Sequence, residues 1–341
     1  MISQEHAQRI LHYLQLKPDE TIAVVGDETT QGIVMPVLRQ LIGTQSVPFT
    51  SINLDDSQRP LQALTPEIEL AVKGVDVCFY AIDKKVTADK TELPFRRALN
   101  ECVESNGGRV GNFLAPTEEL IESVFSANPQ QVTDLTNRVL DYMQGTSAVR
   151  VWTPKGTDVI VEFDPQYKWL ASTGYIQKGI AKNISPAEVY THPGNVNGQI
   201  VVDGTYPPLM QAYLGADPKK LLDFIAATPI LWTVKDGRIV SVKCEDEAIL
   251  KVARKSIEDD ENSNRIGEYG MGTNFGIPRL LGIIANDEKI AGVHFANGHG
   301  YPKLTGAQYN SKTHADAILT STSVIDQSNG RVIMDMGKYK L

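Results

Sequence analysis

AVRVWTPKGTDVIVEFD, residues 148–164, is two runs rich in valine and isoleucine joined by Lys155-Gly156-Thr157. Such a pair reads as a β-hairpin, and it marks a change of texture in the chain. Upstream, strand-like and helix-like pieces alternate. TIAVVGD (21–27) is a short apolar run ending in Gly-Asp, as a buried parallel strand does where it meets a loop. Residues 31–43 follow with apolar side chains at helical spacing (Ile33, Val34, Val37, Leu38, Leu41). Strands are expected at 47–54, 75–82 and 109–114, and helices at 61–73, 90–105, 117–126 and 129–143. That alternation predicts a parallel sheet covered on both faces. Downstream, GQIVVDGTY and ILWTVKDGRIVSVKC continue the strand pattern. Asp236-Gly237 has the chemistry of a type I′ hairpin turn, and residues 246–259 read as the one clear helix. The tail ADAILTSTSVIDQSNGRVIMDMG reads as a further hairpin turning at Asn329-Gly330. The expected class is therefore α/β, with a Rossmann-like parallel-sheet scaffold domain at 1–146. A mainly antiparallel, α+β domain at 147–341 follows it.

The first half invites a dinucleotide-binding reading, but the loop after its first strand is GDETTQG (26–32), without the spaced glycines that let a backbone approach a pyrophosphate. The 341 residues are 42% hydrophobic and 22% charged, an ordinary globular composition. The net charge of -8, with no long basic run, argues against nucleic acid as a partner. Cys78, Cys102 and Cys244 are few, scattered and odd in number, which suits a reducing compartment. The amphipathic start MISQEHAQRILHYLQ and the lack of any 18-residue apolar run predict a cytoplasmic chain with no signal peptide and no membrane span.

Chemistry concentrates in the last quarter. Between Arg265 and Asp316 lie Glu268, Asp287, Glu288, His294, His299, Tyr301, His314 and Asp316, and three of the six histidines fall within 21 positions. Carboxylates mixed with imidazoles, without cysteine, suit a hydrolytic divalent-metal site better than a structural zinc knot. Glu268 stands in a glycine-rich run, IGEYGMG, that lets the backbone curl round a ligand. A strand through 290–295 puts His294 on one face with Glu288 near its start. His314 and Asp316, two apart, share a face if they lie on a strand. Glu188 follows Pro186 in a stretch dense in Pro, Gly and Asn; alone it reads more readily as an exposed charge than as a ligand. His192 and His299 read as supporting or surface residues. Together these groups are what two divalent ions would need, with Tyr301 as an acid or oxyanion donor.

These segments resemble the metal-dependent aminopeptidases of the thermophilic aminopeptidase T and staphylococcal aminopeptidase S type. Pro186-Ala187-Glu188-Val189-Tyr190-Thr191-His192-Pro193 is similar to an early family motif, and Gly267-Glu268 to a second. Asp287-Glu288 precedes His294-Phe295-Ala296-Asn297-Gly298, Tyr301 keeps its offset of seven from His294, and His314-x-Asp316 closes the set. The resemblance covers roughly 147–341. It implies that Glu188, Glu268, Glu288, His294, His314 and Asp316 hold two divalent ions (zinc, cobalt or manganese). It further implies that Glu268 bridges them and helps to deprotonate water, and that Tyr301 stabilises the oxyanion. A peptide whose free α-amine binds one ion is the implied substrate, and a homodimer the implied assembly. The sequence departs from the pattern in three ways: the Glu288–His294 spacing is one residue longer, while the His294–His314 interval and the N-terminal domain are short. A related branch, 2,5-dihydroxypyridine 5,6-dioxygenase, is similar in overall layout and uses a single Fe(II). Its extra histidine falls near Arg265, where this chain has none, and it lacks equivalents of Glu188 and Glu268. The ligand set thus favours the two-metal hydrolase, with the dioxygenase or a fold-retaining homologue of weak or no peptidase activity as alternatives.

Overall fold

The computed structural model describes residues 2–27, 33–44, 46–54, 59–82, 92–114, 116–184 and 186–341. Residues 28–32, most of the GDETTQG loop, lie outside them. The chain forms two compact units. One is Met1–Pro129 with Gly174–Pro186; the other is Gln130–Thr173 with Ala187–Leu341. The expected division at 146/147 therefore differs from the observed one in two places. The helix Pro129–Gln144 belongs almost wholly to the second unit, because Leu135, Val139 and Met143 pack into its core. Residues 174–186 return to the first unit, where Ala181–Asn183 pairs parallel with Arg109–Leu114 as an added edge strand.

Among the described residues, the first unit holds a five-stranded parallel sheet in the order 49–54, 22–27, 77–82, 109–114, 181–183. The strands Ile22–Asp27 and Val77–Ile82 are buried at every position, as a sheet covered on both faces requires. The helix Leu93–Ser105 buries Phe95, Leu99 and Val103. Arg109 is buried at the start of its strand, where its guanidinium donates to both oxygens of Glu20 (2.9 and 2.6 Å) and to the carbonyls of Leu14 and Gln15.

The second unit carries two antiparallel sheets among its described residues. The eight-stranded sheet contains the 148–164 hairpin, whose strands Ala148–Trp152 and Asp158–Glu162 pair in register from Ala148–Glu162 to Trp152–Asp158. The expected Asp236-Gly237 turn is present, with φ of 50° and 70°, the left-handed pair a type I′ turn demands. The five-stranded sheet has the order 314–318, 292–298, 266–272, 188–191, 170–172. A shared core that includes Val149, Val161, Ile200, Trp232, Tyr269, Phe295 and Ala317 fills this unit.

Two expectations need correction here. The tail is not one hairpin: His314–Ile318 joins the five-stranded sheet, and only Ser323–Asp326 and Val332–Asp335 form the hairpin in the other. Nor is 246–259 the only substantial helix of this half, since Pro218–Ala227 is another and Pro207–Ala212 a short one. Both begin on proline, which reads as a break but is pre-organised for the first helical turn, and Asp217 caps the longer one by accepting from the Lys219 and Lys220 amides. No helix among the described residues is long and apolar enough to cross a membrane.

Candidate metal centre

The five-stranded sheet builds the site from side chains on one face. Glu268 lies on its central strand, Ile266–Gly272. The next strand, Gly292–Gly298, brings His294 opposite Gly270, and the strand beyond it brings Asp316 opposite Ala296 and His314 opposite Gly298. On the other side Glu188, the first residue of Glu188–Thr191, faces Gly272, and Tyr190 faces Gly270. Period-two alternation puts Glu268, Gly270 and Gly272 on a common face, so two glycines clear the floor around the carboxylate. A Cβ on Gly270 would stand 2.0 Å from His294 Nε2; any side chain there would evict the imidazole. That is a stronger reason for the glycines of IGEYGMG than backbone freedom.

Glu268 is the hub. His294 Nε2 lies 3.2 Å from its Oε1, and His314 Nε2 lies 3.9 Å from its Oε2. Glu188 Oε2 is 3.8 Å from His294 Nε2, and Asp316 Oδ1 is 3.3 Å from His314 Nε2. Among the described residues, two groups therefore have ligand atoms all within 4.8 Å of one another: Glu188–Glu268–His294 and Glu268–His314–Asp316. They share Glu268. Glu188, which taken alone reads as an exposed charge, is instead buried (9%). Oxygen and nitrogen donors in two converging triads suit a borderline or hard divalent cation.

Neighbouring groups hold the ligand atoms in place. His314 Nδ1 donates to the His299 carbonyl (2.8 Å), which leaves Nε2 facing the cluster; an outer bond of this kind fixes the tautomer of a ligating imidazole. His299 Nδ1 accepts the Tyr301 amide (3.1 Å). His192 is buried and donates Nδ1–H to the Gly267 carbonyl (3.0 Å), tying down the backbone beside Glu268. Tyr301, in a left-handed conformation (φ 52°), lays its ring 4.6 Å from that of His314 and 6.3 Å from that of Tyr190.

Glu288 lies shortly before the strand that carries His294, near where the sequence reading placed it. It caps the short helix Ile284–Asp287, lies outside both triads, and has its Oε1 paired with the Lys289 ammonium at 2.8 Å. Asp287 is turned into its own loop, where it accepts from the Leu281 and Gly282 amides and from Thr205.

Lys289 and Tyr190 are two site residues the sequence reading missed. Lys289 is only 4% exposed and donates to Glu188 Oε1 at 2.5 Å as well as to Glu288. Tyr190 follows Glu188 by two on the same strand, and that spacing was the available signal. Nothing local marks Lys289, since a lysine after two acids reads as a solvated charge.

Burial pushes the Glu268 carboxyl up, with the hydrogen bond from His294 working against it. For His294 and His314 burial disfavours the imidazolium, but the surrounding carboxylates outweigh it and raise them to about 9 and about 10. Burial likewise opposes ionisation of Asp316, and His314 overcomes it, holding the carboxyl well below its usual range. Tyr301 is pushed up by burial and then by Glu268 and Asp316, so its hydroxyl keeps its proton. The cluster thus has a strong appetite for positive charge.

The model of the thermophilic metalloprotease (M29) family matches residues 126–329. The fold is similar to that of AmpT from Thermus thermophilus, at 18% identity with a TM-score of 0.67 and 99% of each chain covered. It is also similar to that of 2,5-dihydroxypyridine dioxygenase from Pseudomonas putida KT2440, at 14% identity and a TM-score of 0.65, covering 99% of this chain and 98% of that one. A search of curated protein sequences finds no match. Identities this low establish a common fold and nothing finer. The family model spans more than half of the chain, so the protein belongs to the thermophilic metalloprotease (M29) family and is a metal-dependent hydrolase.

Proposed function

We propose that this chain releases N-terminal residues from peptides, with divalent metal held at the buried Glu268, where the triads Glu188–Glu268–His294 and Glu268–His314–Asp316 meet. The observation that carries this reading is the pair of triads sharing the two oxygens of one buried glutamate. Metal bound there supplies a Lewis acid and a water acidified toward neutrality. The side chains supply the rest. Glu268, buried and raised in proton affinity, takes the proton from the attacking water and can pass it to the leaving amine. Tyr301, kept protonated, donates its hydroxyl to the oxyanion that develops on the scissile carbonyl. The excess of carboxylates draws in the cationic amino terminus of a peptide and disfavours a free carboxylate end. This accounts for a preference for amino-terminal over carboxy-terminal residues.

The test is hydrolysis of aminoacyl p-nitroanilides after metal loading, beside the same peptide series blocked by N-acetylation. Cleavage confined to free amino termini is the expected result; equal cleavage of acetylated substrates would sink the exopeptidase reading. Oxygen uptake with Fe(II) and 2,5-dihydroxypyridine, in place of hydrolysis, would support the ring-cleaving alternative, to which the second similar structure lends its fold. We further propose a cytoplasmic homodimer. The free state of Cys78, Cys102 and Cys244 supports the reducing compartment; the dimer rests on the family resemblance.

A further inference from the structure

We propose that the Lys289 ammonium is a built-in cation of this centre. It takes the charge-balancing place beside Glu188 that a second divalent ion would fill. The chain accordingly loads one tight divalent ion, between Glu268, His314 and Asp316. The inference rests on the metallohydrolase reading and adds to it the number of ions and the residue that sets that number.

Three observations carry it. First, Lys289 is inside, not snorkelling: the residue is 4% exposed, and its Nζ donates to Glu188 Oε1 at 2.5 Å and to Glu288 Oε1 at 2.8 Å. Two of the four carboxylates of the cluster are thereby engaged by one ammonium. Second, the backbone holds it there. The Lys289 amide donates to the Asn286 carbonyl (3.1 Å), and its own carbonyl accepts the Asn274 amide (2.8 Å). The segment crosses so close to the central strand that a Cβ on Gly272 would lie 1.9 Å from the Ile290 carbonyl oxygen and 2.7 Å from the Lys289 carbonyl carbon. These contacts fix the backbone from which the side chain reaches both carboxylates. Third, Lys289 Nζ stands 2.5 Å from a carboxylate oxygen of Glu188, a member of the Glu188–Glu268–His294 triad, so a divalent ion held by that triad would lie against a fixed positive charge in a site that water does not screen.

The residues on the two sides of Glu268 then have different work. Glu268, His314 and Asp316 hold the ion, and His314 is fixed for it by the His299 carbonyl. Glu188, Glu288 and Lys289 form an ion-paired wall. An ammonium has no vacant orbital and cannot acidify water. Its role is to hold Glu188 in position through the ion pair, and to leave the proton transfer to Glu268.

The test counts metal. The chain is stripped with a chelator, loaded with excess Zn(II) or Mn(II), desalted, and measured by elemental analysis and by titration calorimetry. Wild type is expected to hold one ion per chain, with any second ion bound at least about 100-fold more weakly. Lys289→Gln, which keeps a polar side chain but removes the charge, is expected to hold two. Two ions of similar affinity in wild type, or an unchanged count in Lys289→Gln, would overturn the role of Lys289 while leaving a metallohydrolase. No bound ion in wild type would overturn the metallohydrolase reading itself. Should Lys289→Gln fail to fold, as judged by its thermal transition, Glu188→Gln decides. Its count of tight ions equals that of wild type if Glu188 belongs to the lysine, and falls by one if Glu188 is a metal ligand.

Discussion

Both units bury charged side chains, and they settle the charge in opposite ways. In the parallel-sheet unit, guanidinium groups close the account: Arg109 meets both oxygens of Glu20, and Arg59 meets both oxygens of Glu92 and one of Asp27. These are fork-to-fork pairs whose geometry is complete within the chain. At the five-stranded sheet, carboxylates and imidazoles form the two triads, and one ammonium pairs with Glu188 and Glu288. The first arrangement fixes a scaffold. The second leaves donor atoms directed at a common point, as cation capture requires. Buried ionic groups therefore need their partners examined before they are read as stability or as function.

The sharpest way to break this contrast is to neutralise one group from each kind of cluster. Glu268→Gln and His314→Ala are each expected to lower turnover by about 1,000-fold or more while leaving the thermal transition of the protein intact. If either keeps near-normal turnover in the chromogenic assay, the hub assignment fails. Tyr301→Phe removes a single donor and is expected to cost about 100-fold in kcat with KM little changed; a KM effect alone would make Tyr301 a binding residue.

Metal itself should stabilise the second unit. Loading at 1,000 times Kd is expected to add about 4 kcal/mol, seen as a rise in Tm that chelator reverses. A Tm indifferent to metal and chelator would mean that the triads hold nothing. Arg109→Met, in the scaffold, is expected to cost about 3 kcal/mol in urea unfolding, because it leaves the buried Glu20 carboxylate without its partner. It should leave the metal count unchanged.

The smallest effect is on acid sensitivity. The hydrogen bond from Arg109 holds Glu20 below the usual carboxylate range. A depressed value of this kind contributes stability that is fully present above the ordinary carboxylate pKa and is lost as pH falls through the depressed one. Wild type should therefore lose this increment below about pH 4.5, and Arg109→Met should show a shallower decline over the same window. Parallel acid profiles for the two proteins would remove Glu20 from the account.

Patterns that repeat locally were legible in the sequence. The alternation before residue 146 gave the parallel sheet, and Asp236-Gly237 gave its turn. The spacing of His314 and Asp316 put both on one strand face. Long-range pairings were not legible. Ala181–Asn183 has no apolar pattern to mark it as a fifth strand; only its pairing with Arg109–Leu114 makes it one. Lys289 looks solvated until the crossing over Gly272 buries it. Glu288, a ligand implied by the family resemblance, pairs with that lysine, a contact that nothing in its local sequence foretells. The glycines around Glu268 read as freedom for the backbone, whereas Gly270 serves as clearance for the His294 ring.

Anomalous diffraction from crystals soaked in Zn(II), collected on both sides of the zinc edge, addresses the hub glutamate most directly. The expected map has a peak between Glu268 Oε2, His314 Nε2 and Asp316 Oδ1, within about 2.0–2.2 Å of each. A peak elsewhere in the chain, with the Glu268 carboxylate touching no ion, would contradict the account.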